Sequence, residues 1–411
     1  MTFIVNHMTD MKNAIFDAPT LGEQERKVAE EVENLKEKLR SMLHEPRRWG
    51  GSLRRVSMAR AILGSNSIEG FNAPLDDGVA VAVGEDPIDP DEETRLALKG
   101  YRDAMTYVLQ LATDTGFAYN EGLIKSLHFM MTSYDLKNRP GLWRVGPVYV
   151  RNEETQEIVY EGADIDRVPD LIREIVHSLN EPSDVVPMVR AAMAHLNLAM
   201  VHPFRDGNGR MARCLQTLVL AREGTLVPVF CSIEEYLGRN AQAYYDVLAA
   251  VGGGHWQPDR DVTPWVRFIL TAHLRQARTL LRRVRETERL WADLEAITKK
   301  RALAERMIPA LYDAAYGFRV RRATYQASDP DELTDQTATR DLRQLVEEGL
   351  LVPKGEKRGR HYLGSPALRA VRRAIIDARD PKDLSDPFAP QSDQIPRSGQ
   401  KAAPQATVAA S

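Results

Sequence analysis

At 411 residues with 43% hydrophobic content, the chain holds material for two or three domains around a sizeable core. Lysine and arginine number 55 against 58 acidic residues; the net charge of −3 excludes a global electrostatic drive toward nucleic acid or acidic membrane and leaves only local patches. No apolar run reaches the length of a membrane span, the N-terminus lacks a basic-then-apolar leader, and Cys214 and Cys231 sit in apolar stretches as buried free thiols, so a cytoplasmic location without membrane partners is expected.

Residues 1–90 read as a helical extension. Val28, Val32, Leu35 and Leu39 recur at three- and four-residue steps, as in an amphipathic helix. A second helical pattern, about 53–70, runs from Leu53 to Glu69 and stops at Gly70; the Gly-, Asp- and Pro-rich stretch from Asn72 to Pro90 reads as a loop. From 91 to about 272 the pattern is helices with short loops, interrupted by Val148-Tyr149-Val150 and Ile158-Val159-Tyr160, the signal of a short β-hairpin. Leu274, Ala277, Leu281, Val284 and Trp291 mark one buried stripe along a connecting helix over 273–300; a plain amphipathic linker outweighs a coiled-coil homodimer, which stays open. Within 301–364, a helix from Thr334 to Glu348 stops at Gly349 and precedes strands around Leu350–Pro353 and Arg360–Leu363, which is winged-helix order. The segment 380–411 turns to Pro, Ser, Gln, Asp and Ala without periodicity and is expected to be a disordered tail. The fold class is mainly α, with a small α+β unit near the C-terminus.

The chemistry concentrates in Val201-His202-Pro203-Phe204-Arg205-Asp206-Gly207-Asn208-Gly209-Arg210-Met211-Ala212-Arg213, between two helical patterns. Met193, Leu196, Ala199 and Met200 sustain a helix until Pro203 must redirect the chain, and Leu215, Leu218, Val219 and Leu220 continue another. Gly207 and Gly209 allow positive φ and close approach to the main chain. A helix beginning near Gly209 turns its unpaired amides and positive dipole end toward the joint, an anion site suited to phosphates. Arg210 and Arg213 share a helix face and add two cations. Asp206 is a hard oxygen ligand for Mg²⁺, which uses few protein carboxylates when phosphates complete its shell. His202, with an ordinary pKa near neutrality, can take a proton from a hydroxyl. Singly, these are a core histidine, a turn aspartate and solvated arginines; packed into one joint they point to phosphoryl-type transfer.

This stretch resembles the Fic family signature His-x-Phe-x-Asp/Glu-Gly-Asn-Gly-Arg-x-x-Arg at every specified position. The resemblance spans about Thr94 to Thr271 and implies a Fic-type helical domain with a hairpin flap, followed by a winged helix. It implies a protein adenylyltransferase: AMP passes from ATP to a Ser, Thr or Tyr hydroxyl of a target protein. His202 would be the general base and Asp206 the Mg²⁺ ligand. Gly207, Asn208 and Gly209 would surround the phosphates, Phe204 would pack into the core, and Arg210 and Arg213 would bind the outer phosphates. Gly209, where the family's kinases carry Lys, favours AMP transfer over phosphate transfer. Val148, Tyr149 and Val150 match the flap that aligns a target segment by strand addition. Asn240, Tyr244 and Tyr245 resemble the later segment beside the adenosine, against a reading as simple packing.

Ser65-Asn66-Ser67-Ile68-Glu69-Gly70 resembles the family's inhibitory motif Ser/Thr-x-x-x-Glu-Gly/Asn, and alone would read as a capped helix end. A glutamate reaching Arg213 would take the γ-phosphate's cation, so Glu69, with Ser65, is expected to restrain the site. The alternatives are removal of AMP by the same site, with Glu69 placing water, and a regulatory protein acting through its winged helix. There, Lys354, Lys357, Arg358, Arg360 and His361, with Arg319, Arg321 and Arg322, suit DNA phosphates, while a protein contact or a solvated face stands equally open.

Overall fold

The structure is a computed structural model that describes residues 14–43, 47–151, 157–224, 230, 232–328, 333–356, 359–381, 383 and 385–389. Cys231, Lys357, Arg358 and the tail from 390 lie outside the described residues.

The centre is a helical hairpin of α7 (Pro187–Val201) and α8 (Asn208–Arg222), both buried along nearly their whole length. Helices buried all round show little amphipathic period and mark the middle of a bundle. Around them pack α2 (Gly50–Ile68), α4 (Glu92–Leu111), α5 (Glu121–Thr132), α6 (Val168–Asn180) and α11 (Thr263–Lys300). Asp91 caps α4 by accepting from the Thr94 amide, and Asn120 caps α5 by accepting from Leu123. α1 (Glu23–Leu43) lies along α11, tied by Glu25 to Arg267 at 2.6 Å and Glu31 to Arg278 at 2.6 Å. The expected connecting helix is thus the greater part of one 38-residue helix that begins ten residues earlier, at Thr263, and is about 57 Å long at ~1.5 Å per residue. Its buried residues include Leu274, Ala277, Val284 and Trp291, but Leu280 and not Leu281.

The stretch expected to be a loop after Gly70 contains α3 (Leu75–Ala82). Asp76 and Asp77, which read as loop residues, occupy its first turn, where carboxylates are favoured. The fully buried Asp77 also accepts from the Ile88 and Asp89 amides. β1 (Tyr149–Arg151) and β2 (Ile158–Glu161) form an antiparallel hairpin with a register shift between Val150 and Arg151. α9 (Glu234–Arg239) and α10 (Ala241–Gly252) then lead into α11.

The C-terminal segment runs α12 (Ile308–Tyr316), α13 (Arg322–Gln326), α14 (Asp335–Glu347), β3 (Leu351–Lys354), β4 (His361–Gly364) and α15 (Pro366–Asp377). β3 pairs antiparallel with β4, and Val320 bridges to Tyr362 on the other edge of β4. This segment packs on α2 and α3. Val56 and Ala59 of α2 meet Phe318, Arg55 pairs with the buried Asp313, and Arg319 reaches Asp76, Asp77 and Asp89. The opposite side of α2 approaches α9 so closely that a Cβ on Gly238 would lie 2.6 Å from the Gly64 carbonyl oxygen. The tail expected from residue 380 stays on α11 as far as it is described. Asp383 pairs with Arg278 at 2.5 Å, the Ser385 carbonyl accepts from Arg275, and Phe388 lies against Arg267, because α11 offers a row of arginines there.

Candidate active site

α7 ends on His202 in the left-handed conformation, φ 53° and ψ 59°, with its amide donating to the Leu198 carbonyl at 3.0 Å. A non-glycine residue there costs about 1–3 kcal/mol and must be held by its surroundings. The imidazole is fixed by Nδ1 against the Ala199 carbonyl at 3.1 Å. A carbonyl can only accept, so Nδ1 carries the proton and Nε2 is left with a lone pair. Burial lowers the His202 pKa, only partly offset by the Ala199 carbonyl, so the ring is a neutral base near pH 7.

The turn that follows is closed from within. Asn208 Oδ1 accepts from the Phe204 amide at 2.8 Å and its Nδ2 donates to the Phe204 carbonyl at 2.9 Å. The Asn208 side chain is therefore turned inward, and what this residue can offer a phosphate is its amide. Gly207, at φ 76°, has no room for a side chain, since a Cβ would lie 2.8 Å from Thr132 Cγ2. The first hydrogen bond of α8 runs from the Met211 amide to the Gly207 carbonyl, so the amides of Asn208, Gly209 and Arg210 have no partner within the helix.

Asp206 turns Oδ1 back to the Gly207 amide at 2.7 Å and leaves Oδ2 outward, 3.5 Å from Asn138 Nδ2 and 3.7 Å from Arg210 Nη2. Arg210 is buried, donates to Tyr134 Oη at 3.0 Å and lies over the Phe71 ring at 5.2 Å. Arg213 is also buried; Nε donates to Ser65 Oγ at 2.8 Å, and Nη2 to the Ser65 carbonyl at 2.9 Å and to Glu69 Oε1 at 2.6 Å. Its Nη1 has no hydrogen-bond partner and lies beside Gly209, where a Cβ would sit 3.1 Å from it and overlap Glu69 Oε1. Burial pulls the Arg213 pKa down but Glu69 outweighs it, so the cation is reinforced. Burial likewise pushes the Glu69 pKa up, and Arg213 and Arg210 bring it below the ordinary carboxylate value.

The hairpin base adjoins His202: the Tyr160 hydroxyl donates to the Met200 carbonyl at 2.9 Å, and the Gly162 amide to Val148 at 3.1 Å. β2 is fastened on its far side, where the Glu161 amide donates to Gly254 at 2.8 Å. Among the described residues the far edge of β1 has no strand partner. Tyr149 is 41% exposed and Ile158 50%, so this end of the sheet presents apolar surface to solvent.

Asn240 and Tyr245 each donate to a main-chain carbonyl. Asn240 Nδ2 donates to the Tyr236 carbonyl at 2.8 Å, and the Tyr245 hydroxyl donates to the Ile68 carbonyl at 2.9 Å, fastening the end of α2. Tyr244 is buried beneath Arg213, 6.0 Å from its guanidinium, and bonds His195 Nε2 at 2.9 Å.

Two site residues escaped sequence reasoning. His128 stacks on Phe204 with ring centroids 3.6 Å apart, and its Nε2 donates to the Asp206 carbonyl at 2.8 Å while Nδ1 accepts from the Gly141 amide. Burial lowers its pKa to about 4, so it is neutral and its two ring nitrogens keep these opposite roles. The other is Arg144, whose Nε donates to the His202 carbonyl at 2.9 Å. Neither belongs to a local pattern; a histidine in the helix that Asn120 caps and an arginine after Trp143 carry no signal of their own.

Residues 118–220 match the Fic/DOC family. A protein adenylyltransferase, fic-1 of Caenorhabditis elegans, is 38% identical over 104 residues, covering 25% of this chain and 18% of that protein. The protein adenylyltransferase Fic of Drosophila mojavensis is 30% identical over 184 residues, covering 43% and 34%. The chain thus spans about a fifth to a third of the length of these relatives. The crystal structure of a Fic family protein from Desulfovibrio desulfuricans G20, 21% identical, superposes with a TM-score of 0.53 over 85% of this chain and 98% of that one. The fold is therefore the Fic fold, mainly helical with small strand hairpins.

Proposed function

We propose that this chain is a protein adenylyltransferase, moving AMP from ATP onto a Ser, Thr or Tyr hydroxyl of a protein, with Glu69 as its brake. The observation that carries this reading is the joint of α7 and α8. A neutral imidazole with Nε2 free to accept a proton stands at the mouth of a helix N-terminus, where three amides and the orphan Nη1 of Arg213 await an anion.

In this reading the phosphates of ATP lie on the amides of residues 208–210, with Arg210 and Arg213 as counter-charges. The target hydroxyl gives its proton to His202 Nε2 as its oxygen attacks the α-phosphorus. The bond from that phosphorus to the β-bridging oxygen breaks and pyrophosphate leaves. Asp206 Oδ2, outward-facing and a single hard donor, would hold a Mg²⁺ ion, which would supply neutralisation of phosphate charge; among the described residues no cluster of three metal-binding side chains occurs. The open edge of β1 would receive a target segment as an added strand. Glu69, holding Arg213, keeps the γ-phosphate from its cation.

The deciding experiment incubates the full chain and a Glu69→Gly variant with Mg²⁺ and ATP labelled on the α- or the γ-phosphate. Protein labelled from the α position supports the reading, and protein labelled only from the γ position refutes it. For the C-terminal segment, the order of α12, α13, α14 and the β3–β4 hairpin supports a winged helix, with Arg340 and Arg343 on the open side of α14. Binding to duplex DNA that weakens steeply with salt would make it a nucleic-acid module.

A further inference from the structure

Arg144 lies outside the signature, 58 positions before His202, yet it is the point at which the base and the hairpin meet. Its Nε donates to the His202 carbonyl at 2.9 Å and its own amide to the Pro203 carbonyl at 2.9 Å. The remaining arms of the guanidinium reach the two ends of the hairpin: Nη1 donates to the Gly146 carbonyl at 2.7 Å, and Nη2 to the Ala163 carbonyl. These carbonyls stand just before β1 and just after β2. The side chain is buried, and each of these hydrogen-bond acceptors is main chain. Gly162 completes the contact, for a Cβ there would lie 2.8 Å from Val148 Cγ1, 3.1 Å from His202 Cβ and 3.4 Å from Arg144 Nη2.

A buried guanidinium is an expensive way to fasten loops, since apolar packing would do the same without desolvating a charge. What it alone supplies is a rigid planar fork whose donors address several carbonyls in fixed relative directions. We infer that Arg144 is a positioning residue for AMP transfer: it sets the left-handed turn at His202 and both roots of the hairpin from one rigid group. The base and the edge that aligns the target hydroxyl thereby share one frame. This rests on His202 as base and the hairpin as target-aligning flap. Proton transfer needs the hydroxyl within hydrogen-bond reach of Nε2, and a misplacement of about 1 Å costs on the order of 10² in rate.

The test uses the full chain in a Glu69→Gly background, with Mg²⁺ and α-labelled ATP and with label on the chain itself as the readout. If Glu69→Gly alone gives no label, the adenylyltransferase reading fails and Arg144 is not at issue. If it labels, Arg144→Gln and Arg144→Lys should each slow labelling at saturating ATP by about 10²-fold, because neither can span the three carbonyls. The half-saturating ATP concentration should stay close to that of the background, and the melting temperature, lowered by the lost hydrogen bonds, should stay above the assay temperature. Gly162→Ala, which keeps the guanidinium but presses on Val148 at the root of the hairpin and on His202, should slow labelling in the same way. A background rate in Arg144→Lys overturns the inference, as does a loss of rate matched by an equal loss of ATP affinity. Should both Arg144 variants fail to fold, an unchanged rate in Gly162→Ala overturns it.

Discussion

Replacing Glu69 by glycine is the sharpest probe of this site, because the structure fixes what is removed and what is left. Glu69 caps the C-terminal end of α2 at φ −95° and the chain turns at Gly70, so glycine is accommodated there without backbone strain. What disappears is one charge-assisted bond of 2.6 Å to a buried arginine, while both bonds from Arg213 to Ser65 remain. Freeing Arg213 in the wild type must first break that pair, at roughly 2–4 kcal/mol for a largely buried ion pair with other hydrogen bonds intact. Since each ~1.4 kcal/mol is tenfold, a brake of that strength would leave about one molecule in 30 to 10³ competent at a time, and Glu69→Gly should raise initial α-label transfer by that factor. Arg213→Ala should not activate, because it removes the brake's partner and the phosphate's partner together. The variant should also melt a few degrees lower without nucleotide, its arginine now unpaired, and recover with Mg²⁺ and ATP. Labelling within twofold of wild type, with nucleotide binding intact, would refute the reasoning.

His202→Ala in the activated background should lower labelling by about 10²–10⁴-fold while ATP binding persists, checked by equilibrium titration with Mg²⁺ and ATP. Tyr149→Pro or Val150→Pro should reduce modification of target proteins more than ATP affinity, and equal loss of both would make the hairpin purely structural. Acid should destabilise the fold through His128 and His195, whose pKa values burial lowers to about 4 and about 3. Their folded values lie below the unfolded value of ~6.5, so the unfolded chain takes up protons first. The stability present above that value is lost as the pH falls toward the folded values, by about 2 kcal/mol per histidine between pH 7 and 5, as read by denaturant midpoints.

The joint of α7 and α8 was legible because glycine, asparagine, aspartate and arginine at those spacings have few uses besides a tight turn at a helix start. The ion pair of Glu69 and Arg213, 144 positions apart, could be anticipated only through a resemblance. Position alone could not say that the Asn208 side chain folds back on Phe204, nor that Tyr245 fastens α2. His128 and Arg144 stayed hidden because their roles consist of main-chain carbonyls and amides brought to them by the fold. α3 was misread for a related reason. Its aspartates look like loop chemistry until Arg319, some 240 positions later, arrives to neutralise them.

The double-sided packing of α2 limits how the site can be switched. Leu53, Val56, Met58, Ile62 and Ile68 are all buried, and at ~1.5–3 kcal/mol each their exposure would cost on the order of 10 kcal/mol. That is comparable to the stability of a whole domain, so departure of the helix is not an accessible motion separate from unfolding. If Glu69 is the brake, its release is then a rotamer change in a helix that stays docked, a latch on a fixed frame rather than a moving arm. Amide hydrogens in the middle of α2 should accordingly exchange with solvent only as slowly as the core of α8 does, in the restrained and the released protein alike.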